Sequence, residues 1–190
     1  MPFSTDCGLV LKKTFYQDSK LIVSVLTQKE GLITFSVTLG KKTAHRLGCF
    51  ELGHLLHLEL SPFKEHFKLH DAHVIFSPQT LKKDLSHLQL WAKFLDTLHK
   101  LLSEGSPSPL FFELLKQGIK ALDTQPLKKD ISYFIFLKWF QSEGVLPLNL
   151  FTGFEQELNT LLTLKRFDQL KPLSPCFFDI LDQLIEVQLF

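Results

Sequence analysis

Up to about residue 76 the chain alternates apolar and polar positions in short runs between polar turns, the period-two pattern of strands with one buried face. Five strands are predicted, over 7–16, 20–27, 32–39, 54–60 and 68–76. Gln17-Asp18-Ser19, Lys29-Glu30-Gly31, a long connection from Gly40 to Gly53, and Ser61-Pro62 separate them. In the third, Ile33, Phe35 and Val37 point one way and Thr34, Ser36 and Thr38 the other, so one face is core and one is wet. Short strands packed so closely along the chain must hide their edges. A small closed barrel of the OB type is one economical solution, with an SH3-like barrel or a small sandwich as alternatives.

From Ser77-Pro78 onward the apolar period lengthens to three or four, the spacing of helices, with a start signal at Ser77 or Thr80 and a first helix running to about Leu102. Leu81, Leu85, Leu88, Trp91, Leu95, Leu98 and Leu102 form its apolar stripe, with Lys82, Lys83, Asp84 and Lys93 mostly off it. Glu104-Gly105-Ser106-Pro107-Ser108-Pro109 ends it, and further helices are predicted over 110–122, 127–143, 151–164 and 175–187. With no repeat and no low-complexity tract, the chain reads as α+β: a five-stranded OB-fold barrel over 1–78, then an all-helical C-terminal domain over 79–190.

Composition narrows the class. The 190 residues are 45% hydrophobic and 22% charged, which supplies a real core and argues against disorder of the whole. Cys7, Cys49 and Cys176 are odd in number and far apart, against a disulfide framework or a cysteine zinc ribbon. Buried packing is the ordinary reading of all three, and a reducing cytoplasm fits best. The opening MPFSTDCGLVLKK lacks a basic stretch followed by an apolar core and cleavage site, so no secretory signal is expected. The longest apolar run, from Ile131 to Phe140, is about half of the roughly 20 residues that a spanning helix needs and holds Lys138. No membrane span is expected.

A formal charge of only +1 is less basic than the usual footprint of a nucleic-acid binder, so any such role rests on local distribution. The sharpest positive cluster is Leu39 to Arg46, LGKKTAHR, which sets Lys41, Lys42, His45 and Arg46 in the loop between the third and fourth strands. Mobile cationic tips there suit phosphates, and Lys12, Lys13 and Lys20 on the first two strands extend the surface. Solvated lysines of no special role are the bland alternative. Tyr16, Phe35, Phe67 and Phe76 lie on or beside strands where a base could stack, although core packing is the better reading of Phe35. His54 and His57, three apart on one predicted strand, face opposite ways and defeat a shared metal-ligand role, as do His70 and His73. No metal is expected. With no G-x-S-x-G turn, P-loop or H-E-x-x-H helix, no enzymatic activity and no cofactor are expected either.

The order of these features carries a resemblance. Gly8-Leu9-Val10-Leu11-Lys12 opens the chain, followed by Tyr16, Asp18-Ser19, Ile22-Val23, Leu26-Thr27 and a turn at Gly31. The basic loop then ends at Arg46, ahead of Leu55-Leu56 and Leu58-Glu59-Leu60. The helix with Leu95 to Leu102, then Glu104-Gly105-Ser106-Pro107, Leu110-Phe111, Leu114-Leu115 and Gly144-Val145-Leu146-Pro147 continue it. In this order the chain resembles the RecO family of bacterial recombination mediators along nearly its whole length.

That resemblance implies a cytoplasmic, nucleoid-associated repair factor and not an enzyme. Its OB fold and helical domain together would bind single- and double-stranded DNA and anneal complementary strands. With RecR it would help load RecA on DNA coated by single-strand-binding protein. It places DNA contact on Lys12, Lys41, Lys42 and Arg46, with Lys13 and Lys20 supported by charge alone. A helical-domain groove with a lysine such as Lys116, Lys120 or Lys128 would suit the acidic and apolar tail of single-strand-binding protein. The chain departs from the family pattern at Leu21, Thr38-Leu39 and Ala44, where basic residues or a lysine-glycine pair are common, which implies reduced DNA affinity. The four-cysteine zinc module of many members has no counterpart between Gly144 and Phe154, which implies no zinc. A protein-interaction adaptor on the same fold, with little DNA binding, is the competing expectation.

Overall fold

A computed structural model describes the chain apart from residues 1–2, 17–18, 39, 41–43, 65, 82, 127 and 189–190, and describes only the backbone of 44–46. By compactness it divides into two units, 1–112 and 113–190. The change from strand to helix comes earlier, after Phe76.

The first unit holds five antiparallel strands, β1 (Ser4–Tyr16), β2 (Lys20–Thr27), β3 (Gly31–Thr38), β4 (Leu55–Phe63) and β5 (His66–Phe76), in the order β3-β2-β1-β4-β5. Strand β1 makes the barrel possible because it is long enough to serve two partners. Its first part pairs with β4 from Ser4↔Leu60 to Leu9↔Leu55, and its second pairs with β2 from Gly8↔Thr27 to Tyr16↔Lys20. The β2 register slips by one between Val10 and Lys12, the mark of a β-bulge, which bends a strand and sharpens its twist. This is the five-stranded OB fold; the SH3-like and sandwich alternatives fall away. Its core is the set the alternation marks: Val10, Leu21, Val23, Val25, Ile33, Phe35, Val37, Leu56, Leu58 and Leu60. Phe50, at the end of a 3-10 helix Ala44–Phe50, completes it and meets the Phe35 ring edge-on at 6.0 Å between centroids.

Two expectations need correction here. The first helix, α1 (Leu85–Leu101), begins later than Ser77 or Thr80, because the Asp84 carboxylate accepts hydrogen bonds from the backbone N–H groups of Ser86 and His87 and so caps it. Its buried face is Trp91, Phe94, Leu95, Thr97 and Leu98, whereas Leu85 and Leu88 are exposed. Second, His54 lies ahead of β4 and does not share a strand with His57. Its buried ring spans the Cys49 carbonyl (Nδ1, 3.0 Å) and the Ser77 hydroxyl (Nε2, 2.8 Å).

Helix α2 (Pro109–Thr124) leads into the second unit, which continues with α3 (Lys128–Ser142), α4 (Glu155–Thr163) and α5 (Pro175–Gln188). Helix α4 starts four residues later than the pattern predicts, after a short 3-10 turn Leu148–Phe151. From Asp130 to Leu137 every residue of α3 is buried, so the apolar run that is too short for a membrane is the axis of this unit. Its polar members are answered in place. The Asp130 carboxylate accepts from the Leu173 N–H at 2.7 Å, and the Lys138 ammonium donates to the Leu162 carbonyl. The Tyr133 hydroxyl donates to Asp182, and burial together with that carboxylate pushes its phenol above the usual range. Cys176, in the first turn of α5, is exposed, and Cys7 and Cys49 are half-buried, so packing does not account for all three. Among the described residues no helix is long and apolar enough to cross a membrane.

Candidate nucleic-acid interface

Strand alternation decides where the predicted cations point. Cross-strand partners share a face, so Lys12, opposite Ser24, stands with Thr34 on the outer side of the barrel. Lys20, opposite Thr38 and in step with Ile22 and Ser24, lies on that side as well. Both lysines are exposed. The register also puts Lys20 beside the end of β3, where the basic loop leaves the sheet. Lys13 takes the other side and is tied to Glu51 at 2.7 Å, a cation already matched by an acid. Lys41 and Lys42 lie outside the described residues, and of Arg46 only the backbone is described, within the 3-10 helix. His99 on α1 is held below the usual imidazole range, first by burial and then by the charge of Lys12.

The same outer side carries a groove that the sequence pattern does not announce. It encloses about 870 Å³, within the roughly 300–1,000 Å³ of ordinary ligand sites. Its floor is the β2–β3 surface, Ile22, Thr34 and Ser36, with the Ser24 and Thr34 hydroxyls 3.2 Å apart. One wall is the β4–β5 hairpin, with Phe63, His66, Phe67 and Lys68, and the other is Glu104 and Gly105. At the hairpin Phe63 pairs with His66, and Lys64 adopts φ 55°, a left-handed conformation common in tight turns. Phe63 is 58% exposed with the Lys64 ammonium 5.9 Å from its ring centre. Opposite, Gly105 N–H donates to the Leu32 carbonyl at 3.1 Å, and Glu104 Oε1 accepts from the Thr34 hydroxyl at 3.2 Å.

Of the aromatic candidates, Phe35 is core, Phe67 is half-buried and lines the groove, Phe76 is half-buried, and Tyr16 is exposed. Phe63 and His66 escape sequence reading because Ser61-Pro62 looks like the end of a strand, whereas β4 runs through Pro62 to Phe63. Proline is tolerated at such an end.

In the helical unit the three lysines differ. Lys116 pairs with Glu113 one turn earlier at 2.8 Å, and Lys120 is exposed beside a small surface pocket with Arg166 and Asp168. Lys128 is buried, its ammonium donating to the Leu122 carbonyl at 2.7 Å, so it holds the end of α2 and is withdrawn from any partner surface. Among the described residues no group of three or more His, Cys, Asp or Glu side chains is placed to hold a metal ion.

Residues 1–77 match the family model described as the N-terminal domain of recombination protein O. The chain is similar to RecO proteins over most of its length. It is 29% identical over 149 residues to DNA repair protein RecO of Bacillus velezensis, covering 75% of this chain and 57% of that protein. The RecO of Bacillus pumilus is 28% identical over 141 residues, 74% of this chain and 55% of its own. That of Geobacter metallireducens is 27% identical over 129 residues, 67% and 53%. The chain thus matches little more than half the length of these RecO relatives.

Proposed function

We propose that the protein is a DNA repair and recombination mediator, a non-enzymatic factor of the bacterial cytoplasm and nucleoid. It binds single- and double-stranded DNA, anneals complementary strands, and with RecR helps load RecA onto DNA covered by single-strand-binding protein. The observation that carries this reading is the match of residues 1–77 to the RecO N-terminal domain, in a barrel whose outer side exposes Lys12 and, beside the end of β3, Lys20. Cations of this kind grip phosphates without reading sequence and release counterions as they do so. Lys41, Lys42 and Arg46 supply the loop part of the grip and Lys12 and Lys20 the strand part. Lys116 and Lys120 remain the helical unit's candidates for an acidic peptide tail, such as that of single-strand-binding protein.

Fluorescence anisotropy with a labelled single strand, titrated at several salt concentrations, tests it. Four neutralised phosphates give a log–log salt slope of about −3, and K41A/K42A/R46A flattens it. Unchanged affinity and slope in the triple variant would remove the loop from the interface. The Lys13–Glu51 pair and the near-neutral total charge favour one other reading, a protein-docking adaptor on this fold with little DNA binding. Absence of binding at micromolar protein and low salt would select it.

A further inference from the structure

The groove on the outer side of the barrel opens onto the edge of a strand as well as onto its face. Leu32, Ile33, Thr34, Phe35 and Ser36, five consecutive residues of β3, all line it. Neighbours on a strand face opposite ways, so an opening that reaches every one of them runs along the edge, where the backbone itself is within reach. The Leu32 carbonyl points away from β2, since it accepts from the Gly105 N–H. By the alternation of an antiparallel ladder, the N–H and C=O groups of Thr34 and Ser36 point the same way. Neither strand nor loop answers them among the described residues.

The chain lays a strand of its own on this edge and then stops. Glu104 makes an isolated parallel bridge with Leu32, and the next residue, Gly105, turns away at φ +69°. Strand β3 carries none of the devices that blunt an exposed edge: its register with β2 runs unbroken from Lys20↔Thr38 to Thr27↔Gly31, and residues 31–38 hold no proline and no charge. On the hairpin wall the half-buried Phe67 packs against the core that holds Ile33 and Phe35. His66 and Lys68, which alternate with it, are exposed, and Lys68 has no carboxylate partner among the described residues.

We propose that β3 takes up an extended segment of a partner protein as a further strand. The segment spans about five residues, roughly 17 Å, and bonds through its backbone to Thr34 and Ser36. It turns apolar side chains toward Phe67 and an acidic one toward Lys68 and His66. Backbone pairing supplies affinity and the alternation of side chains supplies specificity. A nucleic-acid strand offers no such row of amides and carries a phosphate at every step, against the Glu104 carboxylate in the same opening. The rim of a second copy's sheet is broader than a lone strand and meets the walls of the groove. Such docking is independent of DNA binding and lies on a different unit from Lys116 and Lys120.

Anisotropy of a labelled, end-capped heptapeptide, Val-Thr-Val-Glu-Val-Thr-Val, titrated with the full chain tests it. The peptide is expected to bind. N-methyl groups on two alternate amides weaken it about tenfold or more, whereas on the intervening two they change it less than about twofold, because only one row of N–H groups faces β3. Lys68→Glu weakens binding about two- to fivefold, and a peptide with lysine in place of glutamate recovers the loss. Lys68 is exposed, so this variant is expected to keep the wild-type thermal midpoint. Equal weakening by both N-methylated sets, or no binding at millimolar peptide, would overturn the added strand. Displacement of the peptide by an equal concentration of single-stranded oligonucleotide would give the opening to nucleic acid, and a dimer of the chain that the peptide dissociates would give the edge to a second copy. Either result overturns the partner segment.

Discussion

The indole of Trp91 fills the space that a side chain at Gly53 would need: a Cβ built there falls 2.2 Å from Trp91 Cζ2. Gly53 also has φ +76°, and its N–H donates to the Val10 carbonyl at 2.9 Å, so the backbone at this point is fixed by β1 on one side and α1 on the other. Neither neighbour can give way, since Trp91 is itself buried and stacked on Phe94 at 5.5 Å. Gly53→Ala combines a clash with a left-handed backbone that alanine disfavours, and is expected to destabilise the fold by roughly 2–4 kcal/mol. Urea denaturation followed by tryptophan fluorescence measures it.

The ion pair between Lys13 and Glu51 is partly exposed and contributes little to stability, but it sets how much positive charge the barrel shows. Glu51→Gln releases Lys13. If the DNA reading holds, single-strand affinity at low salt rises about two- to fivefold and the log–log salt slope steepens by roughly 0.7. An unchanged slope in the anisotropy titration would place Lys13 away from the bound strand.

Lys128 and Lys120 are close in sequence and opposite in circumstance. The buried ammonium of Lys128 answers the Leu122 carbonyl at 2.7 Å and the Gln125 carbonyl at 3.4 Å, at the C-terminal end of α2, where a positive charge is favoured. Lys128→Ala leaves those carbonyls unanswered and is expected to lower stability by roughly 1.5–3 kcal/mol. Lys120→Ala, at an exposed position, is expected to leave the unfolding midpoint in place. A thermal melt of each variant distinguishes the two roles.

Asp84 ties the start of α1 to pH. The Ser86 hydroxyl and the N–H groups of His87 and Ser86 hold its carboxyl below the ordinary value of 3.8. A lowered folded value means the stabilisation is complete above 3.8 and is lost as pH falls through the lowered one. Asparagine caps a helix without titrating. Between pH 5 and pH 3, Asp84→Asn is therefore expected to lose less of its thermal midpoint than the parent; equal losses would mean the cap does not titrate with the fold.

The barrel was legible because each strand repeats one choice every second residue. Ile33, Phe35 and Val37 are buried and Ser36 and Thr38 exposed, as the alternation requires. Helix starts were harder. Leu81 is buried like a member of the α1 stripe yet belongs to the turn before it, and a stripe records burial without recording where the backbone begins to coil. In α3 burial all round erases any stripe, and the helix was readable only from its length and its stop signals. The groove was not legible at all, since residues 22, 34, 63, 68 and 104 meet only when the barrel curls. Charge counting likewise gave Lys13 and Lys128 as free cations; their partners, Glu51 and a helix end, are set by tertiary structure.

The order β3-β2-β1-β4-β5 gives the strands unequal shelter from solvent. Strand β1 has neighbours on both flanks, whereas β3 and β5 end the series and no ladder joins them among the described residues. Deuterium should therefore enter the outer flanks of β3 and β5 first and the middle of β1 last, with Val10 among the slowest amides because its N–H is held by the His54 carbonyl at 3.0 Å. The barrel would then loosen along the very seam where the groove lies, while its spine stays shut.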